Sequence, residues 1–339
     1  MNIFFGEDAS AQLLMLTNNY DKFFVLTDEN IYKLYSSLIA SIVPEKEVVK
    51  IVIPAGEDSK NIENVMLIWN KLLESKAGRD SLLINLGGGT ISDIGGFAAS
   101  TYKRGIDFIN VPTTLLAMID AAIGGKNGIN FNNYKNQIGL FSEPKSVIIN
   151  KHFLKTLNER DVKSGLAEMM KYAFIADASF LDLDSDNYLD FIEKAATIKE
   201  DVVSLDKNES GLRKMLNFGH TVGHALESYY LDKENYLTHG EAVALGIYSA
   251  LYLSVKYCGL DEKWLFFYEM WFKGNLNVLN LNDFDVDSIY EYISHDKKNK
   301  GGKPQFVLIS APEKPQIDIE VCIEDIKESI SILLNKFSE

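Results

Sequence analysis

Three consecutive glycines, Gly87, Gly88 and Gly89, follow directly on an apolar segment, Ser81 to Leu86, that reads as a buried strand. No residue type lets backbone approach a ligand or a neighbouring chain as closely as glycine. The polar pair Ser92-Asp93 marks the start of a helix. Strand, glycine turn and helix N-terminus together form a natural seat for a diphosphate, because the first helical N–H groups carry no intrahelical partner. The spacing is not G-x-G-x-x-G, so the dinucleotide fingerprint is not met, and taken alone the triplet fits a tight turn equally well.

The flanking segments extend the pattern. Phe23 to Leu26 is apolar and ends in Thr27-Asp28-Glu29-Asn30, a cluster suited to capping a helix over Ile31 to Ile42. Val48 to Ile53 is β-branched and strand-like, and a loop from Pro54 to Lys60 leads into a helix over Ile62 to Ser75. Strands alternating with helices of this length predict a parallel α/β sheet, whose ligands bind at the carboxyl ends of the strands. Asp28, Glu57, Lys60 and the glycine triplet all fall there. Ser146 to Asn150 reads as the last strand. From Lys151 to Tyr257 the period becomes helical, which predicts two domains, 1–150 (α/β) and 151–339 (mainly α-helical), with a short hairpin at Gln305 to Ile309.

Composition narrows the classes of function. A chain of 339 residues with 46% apolar and 24% charged residues is an ordinary globular protein. A net charge of −14 with no basic stripe excludes nucleic acid as a natural partner. No apolar run reaches the roughly 18 residues a bilayer demands, and the N-terminal residues lack a signal pattern. The two cysteines, Cys258 and Cys322, are far apart. Together these predict a cytoplasmic protein in a reducing compartment.

Cations are scarce. Of four arginines, Arg104 and Arg213 fall inside patterned segments. Gly124-Gly125-Lys126 and Tyr134-Lys135-Asn136 place lysines in glycine-rich, loop-like settings, where a lysine is a good point charge for a phosphate. Three of the five histidines, His220, His224 and His239, lie close together in sequence. His220 and His224, four apart, share one helix face, and such clusters favour a metal of borderline softness such as zinc. The pattern is not H-E-x-x-H, so a metalloprotease is not indicated. An oxygen ligand to complete the set is not identifiable from spacing.

These segments resemble the 3-dehydroquinate synthase family of sugar phosphate cyclases. The resemblance rests on Gly87 to Phe97, Tyr102 to Gly105, Val111 to Asp120, Gly124 to Asn130, Lys135 to Gly139, Ser164 to Tyr172, Asp206 to Asn217 and His295 to Lys298. It spans most of the chain between Asp28 and Lys298. Tyr134 departs from it, standing where a glycine commonly precedes the lysine–asparagine pair. The resemblance implies a Rossmann-like NAD domain followed by a helical metal domain, and NAD- and metal-dependent, redox-neutral conversion of 3-deoxy-D-arabino-heptulosonate 7-phosphate to 3-dehydroquinate and phosphate. It implies zinc, or cobalt, on Glu168, His220 and His239, with His224 turned toward the substrate. NAD would be held by Asp28, Asn30, Glu57, Lys60, Gly88, Gly89, Asp93, Thr113, Thr114, Asp120, Lys135, Phe153 and Thr156. Phosphate would meet Lys126, Asn136, Lys171, Asn217, His224, Lys297 or Lys298, and Arg104 reaching from the second subunit of a homodimer. Lys199 and Arg213 would take the carboxylate. Lys126, Lys171, His224, Asp120 and Glu209 are the implied catalytic set. Competing readings are a cyclase for a sugar phosphate without a carboxylate (2-deoxy-scyllo-inosose or 2-epi-5-epi-valiolone synthase), a metal-dependent alcohol dehydrogenase such as glycerol dehydrogenase, and a non-catalytic binding protein on this fold.

Overall fold

The computed structural model describes residues 1–6, 16, 20–41, 48–132, 134–231, 233, 236–276, 281, 284–294 and 304–337. The chain forms two compact units, Met1–Leu157 and Asn158–Glu339.

The first unit is built on a six-stranded, wholly parallel sheet of β1 (Asn2–Phe5), β2 (Lys22–Asp28), β3 (Val48–Ile53), β4 (Ser81–Gly87), β5 (Asp107–Pro112) and β8 (Ser146–Ile149), in the order β1-β8-β5-β4-β2-β3. Strand β4 is buried along its whole length, as a central parallel strand must be. The helices are α1 (Glu29–Ser41), α2 (Ile62–Glu74) and α3 (Gly89–Thr101). Ile68 and Leu72 of α2 and Ile94 and Ala98 of α3 pack with Leu26, Ile51 and Leu83 of the sheet in one apolar core. From β2 the chain steps outward to β3, then back across to β4 on the other side. Such a reversal of strand order opens a crevice at the carboxyl ends of β2 and β4. Asp28 and Gly87 stand at those two ends.

Two expectations need correction. Helix α3 starts at Gly89, not at Ser92-Asp93. Its cap is the backbone of Gly88, which carries no side chain to signal a helix start. The segment around Lys126, Lys135 and Asn136 is not a loop but an antiparallel hairpin of β6 (Lys126–Phe131) and β7 (Tyr134–Phe141). Its glycines suggest a loop in sequence, but they are needed for close pairing, since a Cβ on Gly128 would press on the Ile138 carbonyl at 2.8 Å.

The second unit holds α4 (Glu159–Ile175), α5 (Tyr188–Leu205), α6 (His220–Tyr230), α7 (His239–Cys258), α8 (Lys263–Asn275), α9 (Val286–Ser294) and α10 (Ile323–Phe337). The expected hairpin is present, as β9 (Gln305–Ile309) paired with β10 (Pro315–Glu320). Its core is aromatic: Phe174 meets Phe218 and Tyr268, and Phe272 meets Phe337. Among the described residues no helix is long and apolar enough to cross a membrane.

Candidate active site

In the first unit the glycine turn is closely backed. A Cβ on Gly88 would lie 3.1 Å from Thr114, and one on Gly89 would lie 3.1 Å from Ala121. No side chain caps α3. Thr113 donates its backbone N–H to the Gly87 carbonyl, at 2.9 Å, and its buried hydroxyl has no hydrogen-bond partner among the described residues. Asp28 caps α1, accepting from the N–H groups of Asn30 and Ile31 at 2.9 and 3.0 Å. The capping role that its position suggested is therefore real.

Behind the turn lies a charged cluster. The buried Lys60 ammonium donates to Asp93 at 2.6 Å and sits 3.6 Å from Glu57. Glu57 also accepts from the hydroxyl of Thr90 and the amide of Asn130, each at 3.0 Å, and Asn130 in turn accepts from the backbone N–H of Asn136. Burial works against ionising Glu57, but Lys60, Asn130 and Lys135 hold its carboxyl below the usual range. Burial raises the pKa of Asp93. The pair Lys60–Asp93 thus ties α3 to the loop after β3. Phe153 and Thr156 both meet Tyr35 of α1, by an edge-on ring contact at 5.0 Å and a hydroxyl pair at 2.7 Å. Asp120 lies in the turn Ala117–Ala121. Lys126 opens β6 and is exposed. Lys135 is half-buried on β7 beside the exposed Asn136. Arg104 is exposed on a turn in which Lys103, Arg104 and Gly105 all take positive φ (51°, 66° and 114°). Two successive non-glycine residues in that region store strain.

In the second unit glycines decide the geometry. Gly219, at φ 80°, places the start of α6 against Ile247 of α7. A Cβ on Gly246 would strike the Gly219 carbonyl, one on Gly223 would press on Ala242 and Val243, and one on Gly240 would strike the Ser164 carbonyl. Helices α4, α6 and α7 therefore approach each other at backbone distance. Thr238 and Glu241 form a reciprocal capping box at the start of α7, and Arg160 grips Glu241 with two nitrogens at 2.7 and 2.8 Å.

At this junction Glu168, His220 and His239 converge. Glu168 Oε1 lies 3.1 Å from His220 Nε2 and 3.2 Å from His239 Nε2. The second oxygen of Glu168 pairs with Lys171 at 2.7 Å, both groups being fully buried. One ring nitrogen each from His220, His224 and His239 lies within 4.8 Å of the others. On the His220 and His239 rings the far nitrogen fixes the tautomer. His220 Nδ1 donates to the Phe218 carbonyl at 3.1 Å, and His239 Nδ1 donates to Glu227 at 3.2 Å. Both Nε2 atoms then face one anionic oxygen, an arrangement that suits a cation between them, a proton on His239 Nε2 or a metal in its place. In a tetrahedral site with bonds near 2.0–2.1 Å, donor atoms are separated by about 3.3 Å, close to the spacing found here. Burial lowers the pKa of His220, which keeps it neutral and ready to ligate. Burial also opposes a charge on His239, but Glu227 and Glu168 outweigh it and push its pKa up to about 10. Burial works against the Glu168 carboxylate too, yet Lys171 and His220 hold its pKa well below the usual range.

In the same unit, Lys199 on α5 and Arg213 are buried. Arg213 sits in the turn Leu212–Asn217, where its Nη1 donates to the Lys207 carbonyl at 2.7 Å. Asp206 shapes the approach to that turn by accepting from the backbone N–H groups of Ser210, Gly211 and Arg213. Glu209, at φ 57°, accepts from the Asn217 amide. Lys214 ties the turn to β10 through Asp318 at 2.8 Å. Lys297 and Lys298 lie outside the described residues. Sequence reading missed Glu227, and it named Asp206 only as the first residue of a patterned segment, without a role. Glu227 lies seven residues after His220 and three after His224, a buried acid on the histidine face of α6.

Comparison with known proteins places the chain. A family model described as 3-dehydroquinate synthase N-terminal matches residues 50–164, and one described as 3-dehydroquinate synthase C-terminal matches residues 165–299. A 3-dehydroquinate synthase of Parabacteroides distasonis is 42% identical over 94% of this chain and 93% of its own length. Another from Alkaliphilus metalliredigens is 42% identical over 85% of this chain and 83% of its own. Among solved structures, a 2-epi-5-epi-valiolone synthase from Streptomyces hygroscopicus with NAD+ and Zn2+ bound superimposes with a TM-score of 0.87, at 25% identity, over 99% of this chain and 97% of that one. At 42% identity over nearly the whole chain, with both family regions matched in order, the chain belongs to the 3-dehydroquinate synthase family.

Proposed function

We propose that this chain, whose reaction is the phosphate-eliminating cyclisation of its family, binds NAD on the glycine turn of the first unit and a divalent metal on Glu168, His220 and His239 of the second. The observation that carries the reading is the convergence of two Nε2 atoms on one carboxylate oxygen, each within 3.2 Å of it. The donor set suits zinc and admits cobalt. A metal bound there supplies Lewis-acid chemistry to the substrate's hydroxyl and carbonyl oxygens. NAD supplies a hydride acceptor that is regenerated within each turnover, which leaves the reaction redox-neutral.

The chain's own residues then do the following. The α3 N-terminus and the Gly88-Gly89 turn receive the diphosphate. Asp28 accepts from a ribose hydroxyl while capping α1, with Asn30, Glu57, Lys60, Asp93, Thr113, Thr114, Asp120, Lys135, Phe153 and Thr156 completing the cofactor contacts. Arg213, as a bidentate partner, and Lys199 hold the substrate carboxylate. Lys126, Asn136, Lys171, Asn217, His224 and a lysine of the pair Lys297–Lys298 meet the phosphate. Asp120 and Glu209 accept hydroxyls or relay protons. Arg104 serves the neighbouring site of a homodimer, a reading supported by its exposure on a strained turn. A cytoplasmic setting accords with two free cysteines.

The test is phosphate release from 3-deoxy-D-arabino-heptulosonate 7-phosphate with catalytic NAD and zinc, with absorbance of NADH followed in parallel. Stoichiometric phosphate without accumulated NADH is expected. Sustained NADH without phosphate would place the chain among the dehydrogenases. Neither signal would point to sugar phosphates lacking the carboxylate.

A further inference from the structure

The two histidines at the metal position are anchored differently. His220 Nδ1 is held by a backbone carbonyl, that of Phe218, and its side chain is 9% exposed. His239 is 29% exposed, and the partner of its Nδ1 is a side chain, Glu227 at 3.2 Å. A more exposed ring has more room to turn about χ1 and χ2, so its direction depends more heavily on its outer contact. Glu227 is itself buried, at 7% exposure. A carboxylate is costly to bury without a positive or hydrogen-bonding partner, and this one is aimed at His239. It shares a face of α6 with His220 and His224, by the spacing of four and then three residues. One short helix therefore presents a ring toward the centre and, further along the same face, an acid that orients the ring arriving from α7.

We propose that Glu227 is a positioning residue for the metal: by accepting from His239 Nδ1–H it fixes the tautomer and direction of that ring, and its charge makes Nε2 a stronger donor. The proposal rests on the reading of Glu168, His220 and His239 as ligands, and Glu227 has no contact with substrate in it.

The test is zinc affinity of the full-length, chelator-stripped protein, measured by competition with a chromophoric chelator, with NAD affinity as an independent readout. Loss of such an outer partner weakens metal binding on the order of 10–100-fold, and this is expected of Glu227→Ala with NAD affinity retained. Glu227→Gln keeps an oxygen able to accept from Nδ1–H and loses only the charge, so its defect is expected to be several-fold and smaller than that of Glu227→Ala. In a His239→Ala background, where the ring is gone, Glu227→Ala is expected to weaken zinc no further. Zinc affinity within twofold of the parent in both variants overturns the proposal, and so does a full-sized Glu227→Ala effect that persists without His239. If Glu227→Ala fails to fold, an unchanged Glu227→Gln is sufficient to overturn it. A parent protein that binds no zinc overturns the ligand reading beneath, and this assignment with it.

Discussion

Asp206 shows how much one acid can organise. Its carboxylate accepts from three backbone N–H groups, those of Ser210, Gly211 and Arg213, so the chain carrying Glu209 and Arg213 is folded around it. The N–H of Gly211 foremost, then those of Ser210 and Arg213, lower its pKa to about 2. A depressed folded-state value contributes stability that is present above the unfolded pKa, near 3.9, and lost as pH falls toward 2. The urea midpoint of Asp206→Asn is therefore expected below that of the parent at pH 5, with the gap narrowing as pH approaches 2. A gap independent of pH would refute this account. Arg213 tests the substrate at the same scale. Charged hydrogen bonds are worth about 1.5–3 kcal/mol each, so Arg213→Ala should reduce affinity for the heptulosonate phosphate about 10–100-fold with NAD and zinc binding retained. Arg213→Lys keeps the charge and loses the fork, so only part of the affinity should return. Unchanged substrate affinity in Arg213→Ala would remove the carboxylate assignment. His220 and His239 were legible as metal-binding candidates because histidine is rare and theirs are clustered. Glu227 was not, because a single glutamate in an amphipathic helix reads as a solvated face until its neighbours are known.

At the scale of the element, the strands at 23–26, 81–86 and 146–150 were readable because an inner parallel strand is a continuous apolar run, and the edge strand at 48–53 because it is rich in β-branched residues. Strand β1 was not, being a short edge strand of four residues. The β6–β7 hairpin was hidden because glycine, lysine and asparagine are poor strand formers, and close pairing rather than propensity holds them extended. The glycines of α6 and α7 also carried no signal in isolation, yet they set the helix spacing that brings Glu168, His220 and His239 together. A methyl group on Gly246 would meet the Gly219 carbonyl with no flexible atom to yield. Gly246→Ala is thus expected to cost about 1–3 kcal/mol by overpacking and to weaken zinc binding. At Gly259, φ is 68° and nothing lies within 4 Å of the position a methyl group would take. Alanine there should cost about 1 kcal/mol of backbone strain and leave zinc affinity intact. Urea titration with zinc competition separates the two. Equal zinc affinity in both variants would show that helix spacing is not what sets the site.

For the whole molecule, a bound metal and NAD act as ligands of the native state. Zinc at 100 times its dissociation constant would add about 2.7 kcal/mol, which corresponds to a rise of about 5–10 °C in the melting midpoint of a unit this size. Chelation should reverse the rise, and a midpoint indifferent to both zinc and chelator would count against a resident metal. The fold class was legible in full because it follows from the order of periodicities, strand with helix and then helix alone, which no single substitution disturbs.

The pairing of β1 with β8, Asn2 opposite Ser146, also imposes an order in time. A ribosome makes roughly 5–20 residues per second, so about 7–30 s separate the synthesis of these two strands. For the last part of that interval, the about 2–7 s between the making of Pro112 and of Ser146, β5 lacks the neighbour that β8 provides and presents an open parallel edge, the kind of surface on which nascent chains stick to one another. The strand that closes the sheet is the last of its unit to be made, and the chain is most in need of a chaperone just before Ser146 to Ile149 emerge.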